Sequence, residues 1–308
     1  MSKSLYFQTC CVCGNNLYVQ YQKVPDPISS VNFGLFKCVE CGLGFTIPQP
    51  NNLMHYYNKD YYVNRHGFTQ KFCVKRRIKI VIKATKNIGG NKLLDIGCGD
   101  GAFIRELSKL AWEVAGTEIQ HTLDFKEGLV IKESVEEMYA YGPYDCITMW
   151  HSLEHMKDIS TLLDQVKGIL KPNGKLIVAV PNNRSIQSKV FRSKWLHLDV
   201  PRHLYHFQDS SLESFLRTKG FIIEELNYQE FEYDLFGWTQ STLNCIFSPP
   251  NIFFDYLRGK PRRKRKNIYL LNILVGVFLL MFFVPIVVIE RLFNRSGTII
   301  AIIIKDVK

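Results

Sequence analysis

Residues 91–101 read Asn-Lys-Leu-Leu-Asp-Ile-Gly-Cys-Gly-Asp-Gly. The apolar run in this stretch ends in a glycine-rich turn, and a helical pattern follows over residues 102–111. That order is typical of a buried parallel strand that delivers a ligand-binding loop to the N-terminus of a helix. The stretch therefore predicts the first strand and the cofactor loop of an α/β sheet.

The composition of this loop indicates the charge of its ligand. Gly97, Gly99 and Gly101 let the backbone approach a ligand closely and adopt conformations that a Cβ disfavours. Their spacing places the third glycine one residue earlier than in the dinucleotide fingerprint. Asp95 and Asp100 would repel a pyrophosphate but attract a ligand that carries an ammonium and a sulfonium. The loop therefore favours a cationic ligand.

A second strand is predicted over residues 112–119, and Glu118 lies near its end, 21 positions after Gly97. A carboxylate at the tip of the second strand can accept hydrogen bonds from both hydroxyls of a ribose. We therefore predict that Glu118 binds a ribose. The alternative is a phosphate-binding or purely structural glycine turn, which the combination of the Asp-x-Gly-x-Gly-x-Gly loop with this acid disfavours.

These motifs resemble those of the class I S-adenosylmethionine-dependent methyltransferases. The resemblance continues through residues 144–155 and 170–181 and covers roughly residues 70 to 230. It implies a Rossmann-like sheet that binds S-adenosyl-L-methionine. The cofactor-binding residues that it implies are Asp95, Gly97, Gly99, Gly101, Glu118 and, at the end of the fourth strand, Trp150.

The remaining elements follow from hydrophobic patterns and helix boundary signals. Strands are predicted at residues 129–132, 146–150, 170–181, 221–227 and 298–305. Helices are predicted at residues 71–86 and 209–219. In this fold the last two strands are neighbours, so residues 230–297 form an insertion between them.

The N-terminal region carries two Cys-x-x-Cys-Gly units separated by 24 residues. Four thiolates at this spacing predict a tetrahedral Zn²⁺ site, because each glycine allows the turn that directs both sulfurs inward. The predicted ligands are Cys10, Cys13, Cys38 and Cys41. Cys11 is the spare thiol, and free cysteines or a redox pair are the alternative. We interpret the zinc as structural.

Residues 45–67 follow this module. Prolines at positions 48 and 50 mark the end of the module. A segment upstream of the first strand often caps the cofactor in class I methyltransferases. Tyr56, Tyr57, Tyr61 and Tyr62 are therefore candidate lid residues, and packing between domains is the alternative.

Histidines follow the fourth and fifth predicted strands, where parallel sheets bind their ligands. Methyl transfer from a sulfonium needs a base only if the acceptor holds its proton, and histidine suits that role near neutral pH. Residues 194–207 form a loop that is rich in such side chains. We predict His203 as the base and His151 as the second choice, with Asp199 or Tyr205 to orient it. A structural hydrogen-bonded role is the alternative.

A four-cysteine module ahead of a methyltransferase core resembles the sugar C-methyltransferases of deoxysugar and surface-polysaccharide pathways. That resemblance implies a base that removes a proton beside a keto group and so makes a nucleophilic carbanion. Residues 201–207, Pro-Arg-His-Leu-Tyr-His-Phe, look like the loop of that group. The C-terminus departs from the group, whose members carry a further α/β domain, so the substrate and the methylated atom stay open.

The insertion contains an apolar run of 22 residues at 268–289. As a helix it would be roughly 33 Å long, which is enough to cross a bilayer. A single crossing would separate the last strand from its sheet. Topology therefore favours a helix that dips in and returns with a bend at Pro285, or one that lies in the interface. A buried dimerisation helix is the alternative.

The charge distribution agrees with a membrane surface as partner. The formal net charge is +11, and residues 260–266 contribute six positive charges. These charges would meet anionic headgroups on the cytoplasmic side, with residues 245–289 as the associated apolar region. Nucleic acid is disfavoured, because Lys23 is the only basic residue in residues 15–36, between the two cysteine pairs. Residues 1–8 lack an apolar segment, so we expect no signal peptide, reduced cysteines and a cytoplasmic protein, peripheral or monotopic on the inner face of the cell membrane.

The sequence thus predicts an α/β, Rossmann-like methyltransferase sheet with an N-terminal zinc-ribbon-like module and a hydrophobic helical insertion before the last strand. The predicted boundaries are residues 1–50 for the zinc module, 51–90 for lid and linker helices, 91–229 for the core, 230–297 for the insertion and 298–308 for the last strand. The predicted function is methyl transfer to a small or lipid-linked acceptor, a sugar in envelope polysaccharide synthesis. The alternatives are an O-methyltransferase of a membrane quinol or lipid, and a non-catalytic S-adenosylmethionine-binding assembly protein.

Overall fold

The computed structural model describes residues 9–27, 29–57, 67–119, 129–259 and 266–306. Two sequence-based expectations fall outside these ranges: the lid role of Tyr61 and Tyr62, and the basic run at residues 260–266, of which only the last residue is included. Both therefore stay predictions.

The chain divides into two compact units. The sheet unit comprises Thr69–Val180, Phe215–Leu226 and Ile300–Lys308. The cysteine unit comprises Met1–Phe68, Pro181–Ser214 and Asn227–Ile299. The five finer boundaries that the sequence suggests stay a prediction.

Strands and helices alternate along most of the chain. In chain order the strands are β1 (Leu17–Pro25), β2 (Asn32–Cys38), β3 (Gly44–Ile47), β4 (Lys92–Ile96), β5 (Glu113–Thr117), β6 (Val130–Lys132), β7 (Tyr144–Trp150), β8 (Leu170–Pro181), β9 (Tyr205–His206), β10 (Phe221–Asn227) and β11 (Thr298–Lys305). The α-helices are α1 (Gln70–Thr85), α2 (Ala102–Ser108), α3 (Ile159–Ile169), α4 (Ile186–Phe191), α5 (Asp209–Thr218), α6 (Phe231–Ile246), α7 (Ile252–Leu257) and α8 (Lys266–Leu292).

The larger sheet has seven strands in the order β10-β11-β8-β7-β4-β5-β6. β4 pairs in parallel with β5 and with β7, β5 pairs in parallel with β6, and β7 pairs in parallel with β8. All seven residues of β7 are buried, as expected for a central strand that is covered on both faces. The predicted α/β, Rossmann-like fold class is confirmed.

Helices α1 and α2 cover the central strands with apolar side chains. Val74, Ile78 and Val81 recur at intervals of three or four residues, so one face of α1 packs on the core. The buried cluster also includes Phe103, Ile104 and Leu107 of α2 and Leu93, Cys146, Ile177 and Ile300 of the sheet. Because β4, β5 and β7 run in the same direction, their carboxyl ends lie at one edge of the sheet.

Most predicted elements have nearly the predicted bounds. β10 and β11 begin and end where the sequence indicates. Helix α2 is shorter than the prediction of residues 102–111 and ends at Ser108. There Leu110 donates a hydrogen bond to the Leu107 carbonyl (2.9 Å) and Ala111 takes a left-handed conformation with φ of 59°. A left-handed residue cannot continue a right-handed helix.

The cysteine unit contains a second sheet, in the order β1-β2-β3-β9. Its strands are antiparallel. The first three come from residues 17–47, whereas β9 belongs to the histidine-rich segment at 194–207. We call residues 9–47 the cysteine module and residues 194–207 the histidine loop. The sheet joins them.

The same unit contains the apolar helix predicted in the insertion, which is confirmed as α8 and is longer than expected. α8 packs on α6 through Trp238, Phe283 and Val287. Gly276 lets α7 approach, because a Cβ at that position would lie 2.6 Å from Phe253 Cδ2. The helix continues through Pro285 without a break, so it is not the re-entrant form of the prediction.

α8 exposes large apolar side chains along its length. These include Leu270, Leu271, Leu274, Val277, Phe278, Met281, Phe282, Val288, Ile289 and Leu292. By length and composition Asn267–Leu292 could cross a membrane, and a single helix of this kind is weak evidence for one. Only 22% of its most apolar window is buried in the described part of the chain, unlike a mostly buried core helix.

Candidate active site

The glycine loop lies at the carboxyl edge of the large sheet, directly after β4. Gly97, Gly99 and Gly101 all have positive φ, at 77°, 58° and 69°. The Gly97 and Cys98 N–H groups both donate to the Thr117 carbonyl at the end of β5 (2.9 Å each). A Cβ on Gly97 would lie 2.6 Å from Ser152 Cβ, so only glycine fits there.

Gly99 has open space where a Cβ would point, with no atom of the described residues within 4 Å. Here glycine is required by the left-handed backbone and not by crowding. The loop therefore presents bare backbone toward open space at the edge where parallel sheets bind ligands.

Glu118 brings its carboxylate directly onto this loop. Its Oε2 accepts a hydrogen bond from the Gly99 N–H (2.9 Å), and its Oε1 accepts one from the Ile119 N–H (3.0 Å). The side chain is largely buried. Sequence spacing alone led to this residue, and the structure brings it together with the glycines.

Asp95 is buried inside the sheet. Its Oδ1 accepts a hydrogen bond from Thr148 Oγ1 on β7 (2.7 Å). Burial raises the pKa of Asp95 to about 6, against the opposing effects of this hydrogen bond and of Arg77. Asp95 thus joins two central strands, and its contact with a cofactor stays a prediction.

Asp100 shapes the start of α2. Its Oδ1 accepts a hydrogen bond from the Ala102 N–H (3.0 Å) and its Oδ2 accepts one from Gln70 Nε2 (2.5 Å). Arg105 Nη2 donates to the Asp100 carbonyl (3.0 Å). The loop therefore has partners on both α1 and α2.

Trp150 ends β7 and is buried against two side chains. Phe103 meets its ring edge to face at 6.0 Å, and the Arg77 guanidinium lies 5.1 Å from the ring centroid, a cation–π distance. Trp150 Nε1 is buried without a hydrogen-bond partner among the described residues. Sequence reasoning missed Arg77. The available signal was an arginine next to the apolar stripe of α1, where a charge is expensive to bury.

His151 follows Trp150 with a strained backbone. Its φ is 53°, its N–H donates to the Ala179 carbonyl (2.9 Å), and its side chain is buried. Its Nδ1 lies 3.6 Å from Oε1 of the buried Glu154. Left-handed non-glycine residues concentrate at functional sites. Sequence reasoning named His151 but missed Glu154 as its neighbour.

The histidine loop, in the cysteine unit, holds His203 by specific hydrogen bonds. His203 Nδ1 lies 2.9 Å from the His197 carbonyl, and its backbone N–H donates to the Asp199 carbonyl (3.0 Å). Because a carbonyl can only accept, Nδ1 carries a proton, and in the neutral ring the lone pair is then on Nε2. This tautomer is the one that a general base at Nε2 requires.

The predicted orienting residues have other contacts in the structure. Asp199 Oδ1 accepts from Arg202 Nε (2.9 Å) and Nη2 (2.6 Å). Tyr205 lies in β9 and packs edge to face on Phe45, with 5.8 Å between ring centroids. Their roles in orienting His203 stay predictions.

His206, two residues beyond Leu204, is neutral. Thr46 Oγ1 donates to the His203 carbonyl (2.6 Å), so His206 Nε2, at 2.9 Å from the same oxygen, is the donor to Thr46. Burial and the neighbouring His203 lower the pKa of His206 to about 3. The third histidine of the loop, His197, directs Nε2 to the Tyr233 carbonyl (2.9 Å).

Among the candidate lid residues, Tyr56 has a packing role. It meets Phe33 edge to face at 5.7 Å. Its carbonyl accepts a hydrogen bond from Arg202 Nη1 (3.2 Å). These contacts favour the packing alternative for Tyr56.

Four cysteine sulfurs converge in the cysteine module. They belong to Cys10, Cys13, Cys38 and Cys41 and lie within 4.8 Å of one another. The Cys10–Cys41 sulfur distance is 3.6 Å and the Cys13–Cys38 distance is 3.5 Å. Zn–S bonds of about 2.3 Å in a tetrahedron place sulfurs about 3.8 Å apart, so the cluster fits zinc. Cys11 is exposed and outside the cluster.

Comparison with known proteins agrees with this geometry. A family model described as "Methyltransferase domain" matches residues 67–226, just over half of the 308 residues. The chain is 24% identical over 163 residues to the ubiquinone biosynthesis O-methyltransferase of Xanthomonas euvesicatoria pv. vesicatoria (strain 85-10). The aligned stretch covers 47% of this chain and 68% of the relative.

Two solved structures are similar in fold. One is a SAM-dependent methyltransferase from Archaeoglobus fulgidus, with 20% identity, a TM-score of 0.47 and coverage of 77% of this chain and 94% of that one. The other is a putative sarcosine dimethylglycine methyltransferase from Galdieria sulphuraria, with 12% identity, a TM-score of 0.48 and coverage of 75% and 84%. With the family match over residues 67–226 and the glycine loop and acid in place, the chain belongs to the methyltransferase-domain family and is an S-adenosylmethionine-dependent methyltransferase.

Proposed function

We propose that this enzyme methylates a sugar, as a nucleotide or lipid-carrier conjugate, in envelope polysaccharide synthesis at the cytoplasmic face of a membrane. The observation that carries the proposal is His203, a buried histidine whose Nδ1 hydrogen bond to the His197 carbonyl leaves the lone pair on Nε2. A base of this kind is needed only where the acceptor holds its proton until transfer. Carbon beside a keto group is such an acceptor.

The sheet unit would hold S-adenosyl-L-methionine, which supplies an electrophilic methyl group on a sulfonium. Glu118 would accept hydrogen bonds from the ribose, and the backbone of Gly97, Gly99 and Gly101 would line its path. Asp95 would contribute negative charge at the same edge. The buried Arg77 beside Trp150 would be the cation that faces the cofactor's carboxylate.

His203 Nε2 would take the proton from the acceptor carbon beside the keto group. The electron pair of that C–H bond would stay on the carbon and form the bond to the methyl group, while the bond between the methyl group and the sulfonium breaks and leaves its electron pair on sulfur. His151, with Glu154 at 3.6 Å, is the second candidate for this proton transfer. Asp199 and Tyr205 are the proposed orienting residues.

Zinc held by Cys10, Cys13, Cys38 and Cys41 would be structural. All four protein ligands of a closed tetrahedral site come from the chain, so no position is left for a substrate. A small module with one short sheet depends on such a metal for its folding.

The exposed apolar face of α8 supports the proposed membrane location. Its phenylalanine, leucine and methionine side chains would lie in the headgroup and acyl boundary, with the basic run at residues 260–266 near anionic lipids. Because β11 must return to the large sheet after α8, an interfacial helix suits the chain better than a crossing one. A lipid-linked acceptor would then diffuse in the same surface.

A second candidate function is O-methylation of a membrane quinol. The name of the Xanthomonas relatives favours it, and so does the apolar α8, which suits an apolar acceptor. The identity of 24% limits this argument to a candidate. The base would then take a phenolic proton instead of one from carbon.

The test uses dTDP-4-keto-6-deoxyglucose and a short-chain quinol as separate probes with S-adenosylmethionine. We expect a methylated sugar by mass spectrometry, with His203→Gln reducing turnover by about 10²-fold or more. His55→Gln, a substitution of an exposed histidine, is the matched control and should keep full activity. Methylation of the quinol alone would replace the sugar proposal with the second candidate. Full turnover by His203→Gln would exclude this residue as the base.

A further inference from the structure

We propose that the cysteine module acts as a positioning device for the histidine loop, with Asp26 and Arg202 as its positioning residues. The inference rests on the proposed function of His203 on that loop. It assigns the zinc module a task in catalysis without any contact to the acceptor. Four observations within the cysteine unit support this proposal.

The first observation is the backbone pairing between β3 and β9. Residues 44–45 of β3 pair antiparallel with residues 205–206 of β9. The Thr46 N–H donates to the Leu204 carbonyl (3.0 Å), and the Thr46 hydroxyl donates to the His203 carbonyl (2.6 Å). The segment after the proposed base is therefore a strand of the module's own sheet.

A buried ion pair is the second. Arg202 Nη1 lies 3.0 Å from Asp26 Oδ1 in the turn between β1 and β2, and the exposed fractions of the two side chains are 2% and 0%. The remaining Arg202 donors, Nε and Nη2, bind Asp199. One planar guanidinium thus links a module carboxylate to a loop carboxylate. A charge buried this deeply is strongly destabilising when its partner is removed.

Asp26 is itself held rigidly. Its Oδ2 accepts hydrogen bonds from the Ser29 N–H (2.8 Å) and the Ser29 hydroxyl (2.7 Å), and its backbone N–H donates to the Val31 carbonyl (2.8 Å). The carboxylate that meets Arg202 therefore belongs to a closed turn of the module. It is a fixed anchor, not a mobile surface acid.

Apolar packing is the third. Val24, Phe33 and Leu35 of the module form one buried cluster with Trp195, Leu198 and Val200 of the loop. The cluster spans the loop on the side before Arg202, whereas the β3–β9 pairing holds the side after His203. Both flanks of the proposed base are thus fixed to the module.

The chain position of Arg202 is the fourth. It directly precedes His203, whose N–H donates to the Asp199 carbonyl and whose Nδ1 contacts the His197 carbonyl. A shift of Arg202 would move the His203 backbone and with it the ring. A displacement of about 1 Å at a reacting group is enough to cost a large share of the rate.

The experiment compares wild type with Asp26→Asn in protein labelled with ¹³C in the histidine rings, with the His203 signal assigned through His203→Gln. We expect the His203 signal to shift or broaden in Asp26→Asn, and trypsin cleavage after Arg202 to accelerate at least tenfold. S-adenosylmethionine affinity should stay within twofold, because its proposed residues are in the sheet unit. Asp26→Glu should restore the signal, and zinc removal by a chelator should reproduce the effect of Asp26→Asn.

The matched control is Asp145→Asn, which removes the Lys171 partner in the sheet unit (2.7 Å) and should leave the His203 signal and the cleavage rate unchanged. If Asp26→Asn does not yield folded protein, Arg202→Lys keeps the positive charge without the planar fork and is judged by the same criteria. A folded variant with an unchanged His203 signal and unchanged cleavage would overturn the inference.

These readouts need no turnover, so the two proposals fail separately. Full activity of His203→Gln would remove the proposed base while the NMR and cleavage results still decide whether the module positions the loop. Conversely, loss of activity in His203→Gln with an unperturbed His203 signal in Asp26→Asn would keep the base and reject the positioning role.

Discussion

Glu118 and Asp95 form different kinds of hydrogen bond although both carboxylates lie near the glycine loop. Glu118 directs both oxygens at backbone N–H groups of the cofactor edge, whereas Asp95 is turned to Thr148 within the sheet. We propose that a ribose donates to Glu118 at this edge, whereas Asp95 already accepts a hydrogen bond within the sheet. Residue type therefore does not define the role; the direction of the hydrogen bonds does.

Replacing Glu118 with alanine should weaken S-adenosylmethionine binding by at least tenfold. The reason is the loss of a charged acceptor for two hydroxyl groups, each charge-assisted bond contributing about 1.5–3 kcal/mol. Isothermal titration calorimetry measures the affinity for S-adenosylmethionine. Glu113→Ala is the matched control, since that acid lies at the opposite end of β5 and is mostly exposed. Equal affinities for all three proteins would refute the ribose role.

Protonation of His206 should make the fold sensitive to acid. Burial lowers the pKa of His206 to about 3 from 6.5, with His203 acting in the same direction and Asp199 opposing it. Between these values the unfolded chain binds a proton that the folded chain does not, so the free energy of unfolding falls as pH falls from about 6.5 to 3. The slope is at most about 1.4 kcal/mol per pH unit.

Denaturant unfolding at several pH values checks this prediction. His206→Gln can still donate to Thr46 but cannot be protonated, so it should flatten the slope within that window. His55→Gln, at an exposed position, should keep the wild-type slope. A wild-type slope in His206→Gln would assign the acid sensitivity to other groups.

At the scale of elements, two segments differ sharply in how they are packed. The strand-loop-helix unit from β4 to α2 is tight, since a Cβ on its first glycine would collide with Ser152 and its backbone hydrogen bonds reach Thr117. α8 is the opposite, because one face packs on α6 while the other exposes large apolar groups.

Gly97→Ala should reduce both stability and cofactor binding. The new methyl group would lie 2.6 Å from Ser152 Cβ in a backbone with φ of 77°, and such strain costs about 1–3 kcal/mol. Urea unfolding and calorimetry measure the two effects. Gly89→Ala, at a position with no atom within 4 Å of a Cβ, is the control and should be close to neutral. A neutral result for Gly97→Ala would disprove the tight-turn interpretation.

Charged substitutions on the exposed face of α8 should abolish vesicle binding. Phe278 and Met281 are 61% and 68% exposed, and transfer of such side chains out of water contributes about 1.5–3 kcal/mol each. We therefore expect Phe278→Asp with Met281→Asp to lower cosedimentation with anionic phospholipid vesicles by at least tenfold. Val190→Asp, an exposed apolar position on α4, should bind as wild type does. Unchanged binding would instead favour a second protein copy as the cover of α8.

At the scale of the whole molecule, the chain contains two units with different sources of stability. The sheet unit buries a continuous apolar core, whereas the cysteine module is much smaller and contains four converging thiols. Domains this small usually need a metal or disulfides in addition to apolar burial.

Zinc should therefore bind with one ion per chain. Cys13→Ser should lose the metal and lower the apparent Tm by about 5 °C or more, because a ligand is removed from a site whose binding energy supports folding. Elemental analysis and thermal unfolding measure these quantities. Cys11→Ser is the matched control, since Cys11 is exposed and outside the cluster. Retention of the metal by Cys13→Ser would contradict the four-cysteine site.

The sequence by itself determined the elements whose signals are local. Glycine spacing and the acid at the end of β5 predicted the cofactor edge, strands β10 and β11 have the predicted bounds, and two repeated Cys-x-x-Cys-Gly units predicted the sulfur cluster. These are short-range properties, because periodicity, turn residues and ligand spacing depend on neighbours along the chain.

Only the tertiary structure determined which side chains contact one another. Arg202 meets Asp26, Arg77 meets Trp150, and Glu154 lies beside His151. No local pattern encodes the first two pairs, because their members are far apart in sequence. A buried charged residue can be identified only once its partner in the fold is known. The physical reason is that burial makes a charge depend on one specific neighbour, and folding alone determines which neighbour that is.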